Sequence, residues 1–158
     1  MPARKYAQYV ITEDIRSKTP PPAGFMKRLE DQRKQGNYTD SAHVLSLNDM
    51  IAKGALYFDA VWMVDKHGTP PTNIEIGHSH DFDEIIGFFG NYQGDAHDLG
   101  GEVEIWLEDE QYILTKSAII FAPRGVKHGP ISFRKIKSPI LFFTSGNGTA
   151  YTRATGQE

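Results

Sequence analysis

The chain has 158 residues, of which 39% are hydrophobic and 23% charged, as expected for one ordered globular domain rather than a disordered segment. The formal net charge of −3 excludes the basic excess on which electrostatic nucleic-acid binding depends. The absence of cysteine excludes disulfides, thiolate metal ligands and a cysteine nucleophile.

Membrane attachment has no support in the sequence. The longest apolar runs, at 117–123 and 139–144, have the length of a strand and are too short to cross a bilayer. The first 18 residues are charged and lack the apolar stretch of a secretory signal. We therefore expect a cytoplasmic protein with neither nucleic acid nor membrane as a partner.

The first 40 residues form an arm with one short helix. Three successive prolines at 20–22 favour an extended segment. The sequence 25–35, FMKRLEDQRKQ, predicts a short helix, with Gly36-Asn37 as its C-terminal stop. Residues 1–40 are thus predicted to be an N-terminal extension, and residues 41–158 a single β domain.

Short segments with a period of two, which is typical of strands, follow from about residue 42. Nine strands are predicted, at 43–47, 55–64, 72–80, 84–89, 102–107, 111–116, 118–122, 131–134 and 140–144. This number of strands with almost no helix indicates an all-β sandwich or barrel. The polar loop 91–101 contains three glycines, and we expect either a lid or a long hairpin connection there.

The residues with the clearest chemistry lie in the segment 77–90, GHSHDFDEIIGFFG. On a strand, His78 and His80 would project to the same face, because side chains alternate. Glu84 follows four residues later and adds a carboxylate oxygen, and His128 follows the turn made by PRGVKH. An antiparallel pairing would bring His128 beside the first two histidines. The remaining histidines are interpreted as surface or internally satisfied residues: His43, His67 and His97.

At these residues the sequence resembles the cupin superfamily. The first motif of that family has the form G-x5-H-x-H-x3,4-E-x6-G, and the second G-x5-P-x-G-x2-H-x3-N. The first motif matches His78, His80 and Glu84 at its ligand positions, and the second matches His128. The turn before His128 is matched by Pro123 and Gly125. Four positions depart from the pattern without removing a ligand: Thr72, Asn91, Ser117 and Ser132.

The resemblance covers about residues 55–145 and implies a jelly-roll β-barrel with one internal metal ion. Three imidazoles and one carboxylate suit Mn²⁺, Fe²⁺, Ni²⁺ or Zn²⁺, and the donor types do not choose among these metals. The side chains predicted to line a substrate pocket are Phe82, Ile86, Phe88, Phe121 and Arg124. For the apolar side chains, a place in the core is the competing interpretation, and for Arg124 it is a solvated turn.

Two main function classes remain open, and a third possibility is a purely structural metal in an interaction protein. The first is a metal-dependent enzyme of dioxygenase, decarboxylase, lyase or isomerase type that acts on a small oxygen-rich molecule. The second is a metal-assisted module that binds or senses a small molecule without turnover, because no catalytic acid or base is recognisable. A homodimer is expected, in which the arm at residues 6–22 crosses onto a neighbour through Tyr6, Tyr9, Val10 and Ile11.

Overall fold

The computed structural model describes residues 4–15, 21 and 23–154. A short 3₁₀ helix spans Ala7–Tyr9, and helix α1 spans Ala23–Lys34. The described residues form nine strands: β1 (Tyr38–Leu47), β2 (Tyr57–His67), β3 (Thr72–Glu75), β4 (Glu84–Phe89), β5 (Asp98–Leu107), β6 (Glu110–Lys116), β7 (Ala118–Ala122), β8 (His128–Ile136) and β9 (Ile140–Gly146). The prediction of nine strands and one short helix is confirmed. Most of the proline triplet lies outside the described residues.

The strands form two antiparallel sheets. Sheet 1 has the order β1-β2-β9-β4-β7, and sheet 2 has the order β3-β8-β5-β6. Five of the seven neighbouring pairs join strands that are not consecutive in sequence, as in a jelly roll, so the predicted all-β fold class is confirmed. The described strands form two separate sheets, so the predicted jelly roll is present but its barrel is not closed.

The hydrophobic core lies between the two sheets and holds the layers together. Sheet 1 contributes Met63, Ile86, Phe88 and Ile140, and sheet 2 contributes Ile74, Leu99, Val103, Ile105, Ile131 and Phe133. Alternation along β5 buries Val103 and Ile105 completely and leaves Glu104 half-buried on the other face. The core ends before the site residues, which lie at one end of the sandwich.

Loop 91–101 differs from its prediction. Strand β5 already begins at Asp98, and Leu99 is fully buried. The register pairs Leu107 with His128 and Gly101 with Ile136. The end of β5 therefore lies beside His128, and its start lies at the opposite end of β8. The seven residues of β6 pair with the whole of β5, whose bulge takes up the difference, so at about 3.3 Å per residue the loop lies about 20 Å from His128 along the sheet. The loop is therefore a connection at the opposite end of the sandwich and not a lid over the predicted site.

Helix α1 covers the edge strand β3 of sheet 2. The side chain of Arg28 donates to the carbonyl of Ile74 at 3.1 Å, and that of Gln32 donates to the carbonyl of Asn73 at 2.7 Å. These bonds occupy backbone groups that an edge strand would otherwise expose. No helix in the described part of the chain is long and apolar enough to cross a membrane.

Candidate metal centre

Four buried side chains meet at one end of the sandwich. His78 and His80 lie in the connection between β3 and β4, and Glu84 and His128 are the first residues of β4 and β8. Each is 1–2% exposed. Each of the four offers one donor atom, and these atoms all lie within 4.8 Å of one another. The structure therefore brings together all four residues that the sequence predicted as metal ligands.

Backbone hydrogen bonds fix the relative position of these residues. His78 and His128 form an isolated antiparallel bridge, in which each amide donates to the other carbonyl at 2.9 Å. The amide of Gly125 donates to the carbonyl of His80, also at 2.9 Å. The strand predicted at 72–80 ends at Glu75 instead, and this bridge, not a continuous strand, orients the two histidines.

All three imidazole rings are oriented by their Nδ1 atoms. In His78, Nδ1 lies 2.8 Å from the carbonyl oxygen of Ile76. In His80 it lies 2.5 Å from the carbonyl oxygen of Thr152, and in His128 it lies 3.1 Å from that of Val126. A carbonyl oxygen only accepts hydrogen bonds, so each contact assigns a hydrogen to Nδ1. In a neutral ring Nε2 then carries a lone pair, which is the arrangement of a metal-ligating histidine.

The Nε2 atoms and one carboxylate oxygen converge without satisfying one another. Nε2 of His78 lies 3.2 Å from Nε2 of His80, and Nε2 of His128 lies 2.8 Å from Oε2 of Glu84. Despite this short distance, Nε2 of His128 has no partner in hydrogen-bond geometry. Donors about 2.1 Å from one ion and at right angles to each other are about 3.0 Å apart. The observed separations fit a single ion, which would also satisfy the unpaired nitrogen.

The ionisation states suit a cation. Burial lowers the pKa of His78 to about 4, which keeps its ring neutral near pH 7. Burial raises the pKa of Glu84, but contacts with His128, His80 and Tyr57 outweigh this effect and lower the pKa to about 2. Neutral imidazole and ionised carboxylate are the forms that bind a metal.

Two tyrosines also contact this group, and the sequence did not predict either of them. The hydroxyl of Tyr57, at the start of β2, donates to Oε1 of Glu84 at 2.6 Å. The hydroxyl of Tyr151, after β9, lies 2.8 Å from Nε2 of His78. The two contacts span 27 and 73 positions of sequence, so no local spacing indicates them.

The predicted pocket residues fall into different places. The ring of Phe82 stacks on His80 with centroids 4.5 Å apart, and is the one member of the set in ring contact with a candidate ligand among the described residues. Ile86 and Phe88 belong to the hydrophobic core. Phe121 is 59% exposed, because alternation along β7 turns it to the outer side of sheet 1. Arg124 is exposed in the turn. The structure does not bring Phe121 or the side chain of Arg124 to the site.

The other predicted histidines have ordinary environments. His43 lies between carboxylates, with Nδ1 2.8 Å from Asp14 and Nε2 2.7 Å from Asp59. His67 stacks on Tyr38 with centroids 4.3 Å apart, and His97 is exposed in the distant loop. None of the three lies in the four-residue group.

No protein-family model and no curated protein matches the chain in sequence. Among solved structures, it is similar to oxalate oxidase in complex with glycolate, with 16% identity and a TM-score of 0.46 over 72% of this chain and 54% of that one. The chain thus spans about half the length of that protein. It is also similar to a cupin protein from Bacteroides fragilis, with 19% identity and a TM-score of 0.45 over 74% of this chain and 80% of that one.

A third similar structure is peruvianin-I, a cysteine peptidase from Thevetia peruviana latex, with 11% identity and a TM-score of 0.52 over 97% of this chain and 79% of that one. The present chain contains no cysteine. Likeness at these identities concerns the fold alone. The two-sheet architecture is that of a jelly roll, the fold that the resemblance of the sequence implied. The four buried residues form a candidate metal centre within it.

Proposed function

We propose that the chain is a metal-dependent enzyme that acts on a small, oxygen-rich organic molecule. One observation carries the proposal: one donor atom from each of three histidines and a buried carboxylate lie within 4.8 Å of one another, and Nε2 of His128 has no hydrogen-bond partner. His78, His80, Glu84 and His128 would hold one divalent ion, of Mn²⁺, Fe²⁺, Ni²⁺ or Zn²⁺. Such an ion, when bound, polarises a carbonyl or carboxylate oxygen as a Lewis acid.

The residues of the chain itself prepare this site. The three backbone carbonyls hold the rings in one tautomer, and Tyr57 holds Glu84 from the side away from the histidines. Four protein donors around a six-coordinate ion leave positions for substrate oxygens. This incomplete protein coordination supports an enzyme more than a structural metal site.

Metal binding is tested first. Elemental analysis of protein purified without an affinity tag should find about one divalent ion per chain. The double variant His78→Ala/His128→Ala should lose that ion, whereas His97→Ala, a substitution in the distant loop, should keep it. Full occupancy in the double variant would refute the site.

Turnover is tested next with an oxygen electrode and product analysis, using hydroxy acids and dicarboxylates as candidate substrates. Product formation that depends on the bound metal supports the enzyme. Metal-dependent stabilisation by such a compound without any product would refute turnover and instead support a binding or sensing module.

A further inference from the structure

The C-terminal strap, defined as residues 147–154, crosses the end of the sandwich at the site. The carbonyl of Gly148 accepts from the amide of Tyr57 at 2.9 Å, and the amide of Ala154 donates to the carbonyl of Ser79 at 2.9 Å. The side chain of Arg153, 7% exposed, is paired with Glu75 at 2.5 Å. The strap is therefore attached to the site on both sides of Tyr151.

We propose that the hydroxyl oxygen of Tyr151 is a fifth protein ligand of the metal, an inference that rests on the proposed function. In the structure this hydroxyl lies 2.8 Å from Nε2 of His78, close to the separation of adjacent donors around one ion. The hydroxyl of Tyr151 donates its hydrogen to the Nε2 lone pair of His78, which a metal ion would otherwise take. Once that lone pair is bound, the phenol oxygen faces the ion, and its ring is already held over His80 with centroids 5.0 Å apart.

Tyr57 provides a matched contrast. It is also buried and also bonded to a candidate ligand, but its hydroxyl contacts Oε1 of Glu84. The other oxygen, Oε2, is the one that faces His80 and His128. Tyr57 is thus a positioning residue, and Tyr151 alone of the two points at a metal-binding nitrogen.

The test uses the full chain loaded with Fe³⁺, because a phenolate bound to ferric iron gives a visible charge-transfer band. Wild type and Tyr57→Phe saturated with iron should show this band, as should the exposed-position control Tyr112→Phe, and Tyr151→Phe should bind iron without it. A loaded wild type without the band, or a Tyr151→Phe variant that retains it, would overturn the proposal. A chain that binds no iron at all would refute the four-residue site as well, so the two failures are distinguishable.

A second readout is amide hydrogen exchange in the strap. Binding of Zn²⁺ should slow exchange at 148–154 by about tenfold in wild type, the effect of one bond to a charged group, and much less in Tyr151→Phe. Equal slowing in the two proteins would show that the strap is ordered by the metal without Tyr151, contrary to the proposal.

A separate observation concerns the outer face of sheet 1, the side turned away from the core. The register places three rows of side chains across it: Phe58, Ser145, Ile85 and Phe121; Ala60, Phe143, Gly87 and Ile119; and Trp62, Leu141 and Phe89. Ser145 is the one polar residue in these rows. At Gly87 an added Cβ would lie 2.1 Å from the ring of Phe143, so this ring packs flat across the neighbouring strand.

The exposed apolar area of this face is large enough for a protein–protein interface. Five of its side chains are between 38% and 61% exposed: Trp62, Ile85, Phe89, Ile119 and Phe121. They present on the order of 500 Å² of apolar surface, near the upper limit for a monomer and over half of the ~800 Å² that each partner buries in a stable complex. The half-buried Phe58, Leu141 and Phe143 extend the patch.

We infer that a second copy of this chain covers the face. The three rows carry no charge, so two copies meet there without repulsion or buried unpaired charges. This surface is distinct from the arm at residues 6–22, through which the sequence predicted dimerisation. Although Tyr6, Tyr9 and Val10 are exposed, the outer face offers a larger continuous area.

Light scattering after size exclusion tests this interface. Wild type should have twice the chain mass of 17.7 kDa. Ile119→Glu and Phe121→Glu should be folded monomers, and Ile113→Glu, at a 45% exposed position on sheet 2, should remain dimeric. A monomeric wild type, or dimers that survive both charged substitutions, would overturn the inference. A dimer lost only on deletion of residues 1–22 would assign the interface to the arm instead.

Discussion

Tyr57→Phe isolates the contribution of one hydrogen bond to metal affinity. The hydroxyl of Tyr57 donates to Oε1 of Glu84 at 2.6 Å, and both residues are 2–3% exposed. The substitution keeps the ring and removes only the donor, so a buried carboxylate oxygen loses its partner. A hydrogen bond to a charged group contributes about 1.5–3 kcal/mol, which corresponds to about 10- to 100-fold in affinity.

The assay is competition for Zn²⁺ with a chelator of known affinity. Tyr57→Phe should bind the ion about 10- to 100-fold more weakly, mainly because Glu84 is held less firmly. Tyr112→Phe is the matched control, since Tyr112 also donates to a carboxylate, that of Glu110, but at an exposed position. Its affinity should be unchanged. A loss of less than about threefold in Tyr57→Phe, with the fold intact, would refute the reasoning.

Two further predictions concern stability, and a third concerns metal binding. The unfolding free energy of the metal-free chain should fall on acidification, first between pH 6.5 and 4 as His78 protonates more readily in the unfolded state, and then from pH 4.5 to 2 for Glu84. Each pH window should lower the unfolding free energy by on the order of 3 kcal/mol. An unfolding free energy, measured by urea denaturation, that stays constant from pH 7 to 3 would contradict this prediction. Phe88→Ala should cost about 3–5 kcal/mol in the same assay, because Phe88 is fully buried in the core; a loss below about 1 kcal/mol would show that the core relaxes around it. Gly129→Ala should weaken metal binding more than Gly125→Ala. Both glycines have φ above +80°, but only at Gly129 would a Cβ meet a backbone atom, 2.7 Å away, the carbonyl oxygen that orients His78; equal effects in the chelator competition would show that backbone strain alone matters.

The sequence predicted the elements that local pattern controls. Strands β4 and β7 have the predicted bounds, because their short apolar runs end at clear breaks such as Pro123. The ligand set was also predictable, since His78, His80 and Glu84 lie within seven residues. The start of β5 was not, because Gly100 and Gly101 resemble loop residues. An added Cβ at Gly101 would lie 2.3 Å from the carbonyl oxygen of Lys135, so close strand packing requires glycine there.

Contacts between distant segments account for the remainder of the site. Tyr57, Tyr151 and the carbonyl of Thr152 reach the ligands from separate parts of the chain, and an ordinary hydroxyl or carbonyl has no sequence signature. The outer apolar face of sheet 1 could not be predicted from the sequence either. The alternation of residues along each strand shows which side chains share a face of that strand, but it does not show which five strands are neighbours in the sheet. The patch exists because the order of the strands places their outer apolar side chains next to one another.

The carbonyl of Thr152 has a consequence for the order in which the candidate site is assembled. It accepts from Nδ1 of His80 across 72 residues, so the hydrogen bond that holds this ring with its Nε2 atom toward the other donors forms only when the C-terminal strap is in place. A chain folded only as far as His128 contains all four candidate ligands but lacks this contact. The candidate site is therefore fully oriented only in a chain that includes the strap.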